Sequence, residues 1–285
     1  MTKAQMFTRR RLLTGGAALL GAAGTVGTAA LLIGDGGPAP APARPAATAA
    51  GPGAHKPLES SAYRLRPIAG YGSRRRRRTL VRAAVRREPF LKLGGRGRKM
   101  VLTFDDGPDP RFTPDILDIL RDHDVRAMFF VCGEMAVQHK DLLRRMAHDG
   151  HVVGNHTWSH PLLTTLSRSR IHTEMARTSE IIEKVHGEPP LWFRAPYGVW
   201  NRAAFRFGAE LDMEPLGWTL DTLDWRTPGA GAIAERVEKG AGPGVVVLSH
   251  DAGGDRSQSV RALRRYLPAL LDSGYHVTVP LRTYA

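Results

Sequence analysis

The chain has 285 residues, 42% of them hydrophobic, enough to bury a proper core in one large domain or two small ones. Its formal charge of +14 invites a nucleic-acid partner, but the distribution argues against one: residues 1–99 hold 20 Lys/Arg against 3 Asp/Glu, and residues 100–285 hold 21 against 24. The single cysteine, Cys132, excludes an intramolecular disulfide and a thiolate zinc cluster, and its place after Met128-Phe-Phe-Val131 marks it as a buried apolar filler.

In chain order, Thr8-Arg9-Arg10-Arg11-Leu12-Leu13 is a basic segment of twin-arginine character, and a small-residue apolar stretch runs from Leu12 to Ile33. Residues 1–36 are therefore expected to be a twin-arginine-type signal that exports the protein across the bacterial inner membrane, to be secreted or held at the cell envelope. The stretch is long enough to span a bilayer, so retention as an uncleaved membrane anchor is the alternative. Its abundant Gly, Ala and Thr make it weakly hydrophobic, which favours the signal. Residues 37–99 are expected to form a linker, Pro/Ala/Gly-rich at first and then Arg-rich, a composition that builds no core. The run Arg74 to Arg78 reads as a solvated segment, with electrostatic contact to anionic envelope polymers or lipid as the sharper alternative.

From residue 100 to 285 the pattern is regular, and this stretch is expected to be the globular domain. Apolar runs at 100–104, 127–131, 151–154, 191–193, 215–220, 245–248 and 276–279 alternate with helical stretches, of which 113–123, 141–149, 167–186 and 257–272 are the clearest. Thr113-Pro114 resembles an N-cap followed by proline at the first helical position. Ile171, Met175, Ile181, Ile182 and Val185 share one side of the long helix that Ser167 opens. Seven strands alternating with helices make an α/β fold with a parallel sheet, for which a closed or nearly closed barrel is the natural solution.

Polar residues recur just after these runs. Asp105 and Asp106 follow the first, Asn155 and His156 the third, Arg194 the fourth, Asp221 and Asp224 the fifth, and His250 with Asp251 the sixth. In a parallel barrel the carboxyl ends of the strands open on one face, so a single basin collects them all. His156-Thr-Trp-Ser-His160 sets two imidazoles four residues apart, and one carboxylate completes a three-ligand site suited to zinc or a similar divalent ion. Only one of the adjacent acids need bind metal. The other is then free to act as a base, the division of labour that metal-assisted hydrolysis requires.

Thr103-Phe-Asp-Asp-Gly-Pro108, His156-x-x-x-His160, Arg194-Ala-Pro-Tyr197, Asp221-x-x-Asp224-Trp225 and Leu248-Ser-His250 resemble, in order and spacing, the five motifs of the polysaccharide deacetylases, the NodB-homology or carbohydrate esterase family 4 domain. The resemblance implies a distorted seven-stranded (β/α) barrel that removes N-acetyl groups from a glycan. It assigns Asp105 as general base, with Arg194 orienting it, and Asp106, His156 and His160 as ligands of one divalent metal ion, expected to be zinc. It assigns the Tyr197 backbone N–H to the oxyanion, with Pro196 fixing the turn. It makes His250 the general acid, with Asp224 as its partner; Asp221 either shares that role or only shapes the turn. Trp225 and Leu248 would wall the acetyl pocket. Peptidoglycan is the first expected substrate and chitooligosaccharide the second, and the protein is expected to act as a monomer without nucleic acid. An O-acetyl esterase of xylan or a similar glycan, and a cell-envelope glycan-binding module without turnover, are the competing readings.

Overall fold

The computed structural model describes residues 83–94 and 97–280. The expected signal, the run Arg74 to Arg78 and most of the expected linker lie outside the described residues. The centre of the fold is β1 (Lys99–Asp105), in which every residue after Lys99 is buried. Both faces are covered, as a parallel sheet with helical crossovers demands, and alternate residues therefore serve two cores. Met100, Leu102 and Phe104 join a large cluster with Leu117, Phe129, Leu143, Val247 and Leu263. Val101 joins a second one with Met128, Phe130, Leu216 and Val246.

The strands β2 (Met128–Val131), β3 (Val152–Asn155), β4 (Trp192–Phe193), β5 (Glu214–Pro215), β6 (Leu220–Asp221), β7 (Val246–His250) and β8 (His276–Val277) complete the sheet. Its order is β5-β4-β3-β2-β1-β7-β6, with β8 paired to the start of β1, and every pairing is parallel. The connecting helices are α1 (Thr113–Asp122), α2 (Gly133–Gln138), α3 (Lys140–His148), α4 (Arg168–His186), α5 (Arg202–Glu210), α6 (Ala230–Gly240) and α7 (Ser257–Asp272). Among them, α4 packs against α2, α3 and α5, and α6 packs against α7. Helix α4 starts as its sequence suggests: Ser167 Oγ accepts the Arg170 N–H at 3.3 Å, and Gly187, at φ 94, ends it in the left-handed conformation that glycine tolerates.

Three expectations change. The run 215–220 is not one strand, because β5 and β6 lie at opposite ends of the sheet order. Between them the backbone changes partner: Leu216 N–H donates to Phe193 O at 2.9 Å, Gly217 N–H to Phe90 O at 2.7 Å, and Thr219 N–H to Val246 O at 3.0 Å. The seven-strand path is thus a curled, open half-barrel, and β8 is an eighth strand outside it. Residues 83–94, read as linker, are also part of the folded body: Phe90 bridges Leu216, Lys92 bridges Val245, and Arg86 forms an ion pair with Glu214 at 2.9 Å. Finally, Thr113 is the first helical residue rather than the cap. Its hydroxyl accepts the Asp109 N–H at 2.8 Å and donates to Asp251 at 2.6 Å, which ties the start of α1 to the loop after β7.

Candidate active site

Strand register alone brings the expected residues together. Asp105 is paired in register with both Phe130 and His250, Val131 with Asn155, and Asn155 with Phe193. The next residues along β3 and β4 are His156 and Arg194, so all emerge at one end of the sheet. Asp105 belongs to the same alternating set as Val101 and Thr103. The Thr103 and Asp105 side chains both reach Arg194, whose Nη1 donates to Thr103 Oγ1 and to Asp105 Oδ1, each at 2.7 Å. The rest of that guanidinium serves the broken strand: Nε donates to Leu216 O at 3.0 Å and Nη2 to Gly217 O at 2.8 Å. Arg194 is 0% exposed, and a charge so buried is tolerable because its donors meet a carboxylate and carbonyls.

Asp106 turns away from its neighbour. Its φ of 77 ends the strand in the left-handed region, which Asp adopts more readily than most residues. Its Oδ1 lies 3.5 Å from His156 Nε2 and 3.2 Å from His160 Nε2, and these three atoms fall within 4.8 Å of one another. Oδ1 is buried with no hydrogen-bond partner among the described residues. Burial pushes the Asp106 carboxyl up, but the nearby imidazoles of His156, His250 and His160 outweigh it and hold the group well below the usual carboxylate range. Burial, with His156 beside it, pushes His160 down to about 4, so its ring is neutral at pH 7. His156 Nδ1 donates to Arg194 O at 2.8 Å, which fixes the ring with Nε2 facing Asp106. Two imidazole nitrogens and one ionised carboxylate oxygen, the oxygen an orphaned buried atom, are a donor set that fits a divalent ion.

Opposite them, His250 Nδ1 lies 2.7 Å from Asp224 Oδ1, while the His250 N–H and the Ser259 hydroxyl both donate to Oδ2, at 2.9 and 2.7 Å. Burial lowers the His250 pKa, yet the Asp224 carboxylate outweighs it and raises the ring to about 9. Arg256, 2% exposed, gathers the Ala252, Gly253 and Asp224 carbonyls around this pair. On the outer rim Tyr197, at φ 61, places its ring 4.6 Å from that of His160, edge to face, and is 51% exposed. Gly198 follows at φ 63, where an added Cβ would lie 2.5 Å from Trp218 Cη2, so the indole presses on the turn that presents Tyr197.

The sequence profile of the family Polysaccharide deacetylase matches residues 92–216. A peptidoglycan-N-acetylglucosamine deacetylase of Bacillus cereus is 39% identical over 184 residues, covering 64% of this chain and 67% of the relative. A chitooligosaccharide deacetylase of Rhizobium leguminosarum bv. trifolii is 37% identical over 205 residues, 68% of this chain and 95% of the relative. This chain belongs to the polysaccharide deacetylase family. A crystal structure of a peptidoglycan N-acetylglucosamine deacetylase superposes with a TM-score of 0.64 at 35% identity, covering 66% of this chain and 88% of that one.

Within this deacetylase the five motifs converge, but Asp221, Trp225 and Leu248 sit differently from the rest. Asp221 does not share in orienting His250; its Oδ1 accepts the Leu223 N–H at 2.8 Å and its Oδ2 the Trp225 indole N–H at 3.4 Å, so it shapes the turn. Leu248 is only 4% exposed, on β7 in register with Thr103, whereas Trp225 is half-buried under the Arg226 guanidinium, 4.5 Å from its ring centroid. Residues outside the expected set also reach the site. Ser259, Arg256 and Trp218 carry no pattern in the sequence that separates them from ordinary surface or core residues. Glu174 does carry one: an acidic side chain lies between Ile171, Met175 and Thr178 on the buried side of α4.

Proposed function

We propose that this deacetylase removes the acetyl group from N-acetylglucosamine units of an extracytoplasmic glycan, with peptidoglycan as the first substrate and chitooligosaccharides as the second. The observation that carries the proposal is the facing of two unlike devices across one basin: Asp105 held by Arg194 beside the Asp106–His156–His160 triad, and His250 raised by Asp224. Asp106, His156 and His160 would hold a divalent ion, for which we propose zinc. When bound it supplies a Lewis acid to the basin.

Asp105, fixed by Arg194 and Thr103, takes the proton of the attacking water as the new C–O bond forms at the acetyl carbonyl. The Tyr197 backbone N–H, presented by Pro196 and the Gly198 turn, meets the oxygen on which charge develops. Protonated His250 gives its proton to the sugar nitrogen as the C–N bond breaks, and acetate and a free amine leave. Asp224 keeps that proton available near neutral pH. Trp225 and Leu248 would border the acetyl methyl group. Export by a twin-arginine-type signal, action at the cell envelope as a monomer, and contact between Arg74 to Arg78 and anionic envelope polymers or lipid complete the reading, supported by the composition of residues 1–99.

The test is acetate release by the purified protein from peptidoglycan, chitooligosaccharides and acetylxylan, with and without added zinc. Release from the two N-acetylated glycans that needs the metal and is abolished in His250→Ala is the expected result. Release only from acetylxylan, insensitive to His250→Ala, would replace the amidase reading by an esterase, and no release from any of the three would favour glycan binding without turnover.

A further inference from the structure

The loop between the two ligand histidines is unusually dependent on one side chain. Thr157 and His160 have φ of 69 and 54, conformations that non-glycine residues hold only when their surroundings enforce them. The loop carbonyls are secured by the start of α2, where Gly133 N–H donates to Thr157 O at 3.0 Å and Glu134 N–H to Trp158 O at 3.1 Å. Asn155 Oδ1 accepts the Thr157 N–H at 2.9 Å. The Trp158 and Ser159 amides and the Ser159 hydroxyl turn to Glu174 on α4. Its Oε2 accepts the Trp158 and Ser159 N–H groups at 2.9 and 2.8 Å, and its Oε1 accepts the Ser159 hydroxyl at 3.1 Å. Glu174 is 7% exposed, and Arg177, one turn further along α4, stacks its guanidinium 3.8 Å over the Trp158 ring.

We propose that Glu174 is a positioning residue for the metal site: by holding the two amides just before His160 it fixes where that imidazole points. The proposal rests on the reading of Asp106, His156 and His160 as the metal ligands. Glu174 touches neither the ligand atoms nor the reacting groups, so its effect travels through backbone geometry. Outer partners that orient metal ligands commonly alter affinity by about 10–100-fold when removed. A glutamine at this position keeps one oxygen for both amides and turns its amino group to the Ser159 hydroxyl, which can accept. The hydrogen bonds, rather than the charge, are therefore the working element.

The experiment titrates cobalt(II) into full-length wild type, Glu174→Ala, Glu174→Gln and His160→Ala, following the ligand-field absorption, and records thermal melting without metal and amide hydrogen exchange at Trp158 and Ser159. The expected result is affinity weakened by about tenfold or more in Glu174→Ala, with faster exchange at both amides, and affinity within about threefold of wild type in Glu174→Gln. Cobalt affinity in Glu174→Ala equal to wild type, or affinity lowered as far in Glu174→Gln as in Glu174→Ala, would overturn it. Should Glu174→Ala not fold, Glu174→Asp, whose carboxylate stops one methylene short, carries the same two readings. His160→Ala separates the hypotheses: cobalt binding that survives there defeats the metal reading itself, whereas loss there with an unchanged Glu174→Ala defeats only the role of Glu174.

Discussion

Asp105 and Asp106 are chain neighbours, yet one lies 2.7 Å from the Arg194 guanidinium and the other 3.2 Å from His160. The left-handed backbone at Asp106 separates them, so the two carboxylates should fail in different ways. Asp106→Asn is expected to weaken metal binding by at least about tenfold in chelator competition. Asp105→Asn is expected to keep the metal and lose turnover by roughly 10²–10⁴-fold, the usual worth of a general base, as measured by acetate release. Equal metal loss in both variants would show that the division is wrong. His250, raised to about 9, carries its proton through neutral pH and loses it as pH rises past that value, so turnover should fall on the alkaline side. Removing the negative charge with Asp224→Asn should move that limb to lower pH by about 1–3 units, read from the pH profile of kcat.

Strand β3 carries a liability of its own at its entry. His151 is 4% exposed, and its Nδ1 accepts the Ala127 N–H at 3.1 Å, a bond that protonation of that nitrogen would break. Burial lowers this imidazole from its ordinary 6.5 to about 4. A histidine kept neutral in the fold binds fewer protons than in the unfolded chain, so its contribution is whole above pH 6.5 and is lost as pH falls from there towards 4. The full effect is roughly 3 kcal/mol at about 1.4 kcal/mol per pKa unit. His151→Gln should therefore flatten the decline in melting temperature between pH 6.5 and 4; an unchanged decline would place the acid sensitivity elsewhere. At this scale the sequence was readable where a run was continuous and apolar, as in β1, β2 and β7. It was misleading at 215–220, where one apolar run supplies two edge strands, because hydrophobicity does not record that a backbone changes partner at Leu216 to Thr219. Thr113 misled for a similar reason: its hydroxyl answers Asp109 and the distant Asp251 rather than the end of its own helix.

The half-barrel as a whole depends on residues that composition assigned to a linker. Phe90 N–H donates to Pro215 O, Gly217 N–H to Phe90 O and Leu93 N–H to Gly244 O, so residues 83–94 tie β5 and the segment after it to the approach to β7. Three backbone hydrogen bonds at about 1 kcal/mol each imply that a chain begun at Gly97, which keeps all of β1, melts roughly 5–10 °C below one begun at Ala83. Identical melting would mean that these residues only decorate the sheet. Residue chemistry and strand periodicity were local facts, and from them the amino-acid sequence by itself determined the α/β class, the parallel sheet and the gathering of Asp105, Asp106, His156, His160, Arg194, Asp224 and His250 at one end of it. The tertiary structure alone decided that the barrel stays open, that residues 83–94 belong to it, that Asp221 shapes a turn while Asp224 holds His250, and that Glu174 reaches the loop between the histidines. Each of these is a contact between segments far apart in the chain, whose partner is chosen by packing and backbone hydrogen bonding rather than by any pattern within the segment.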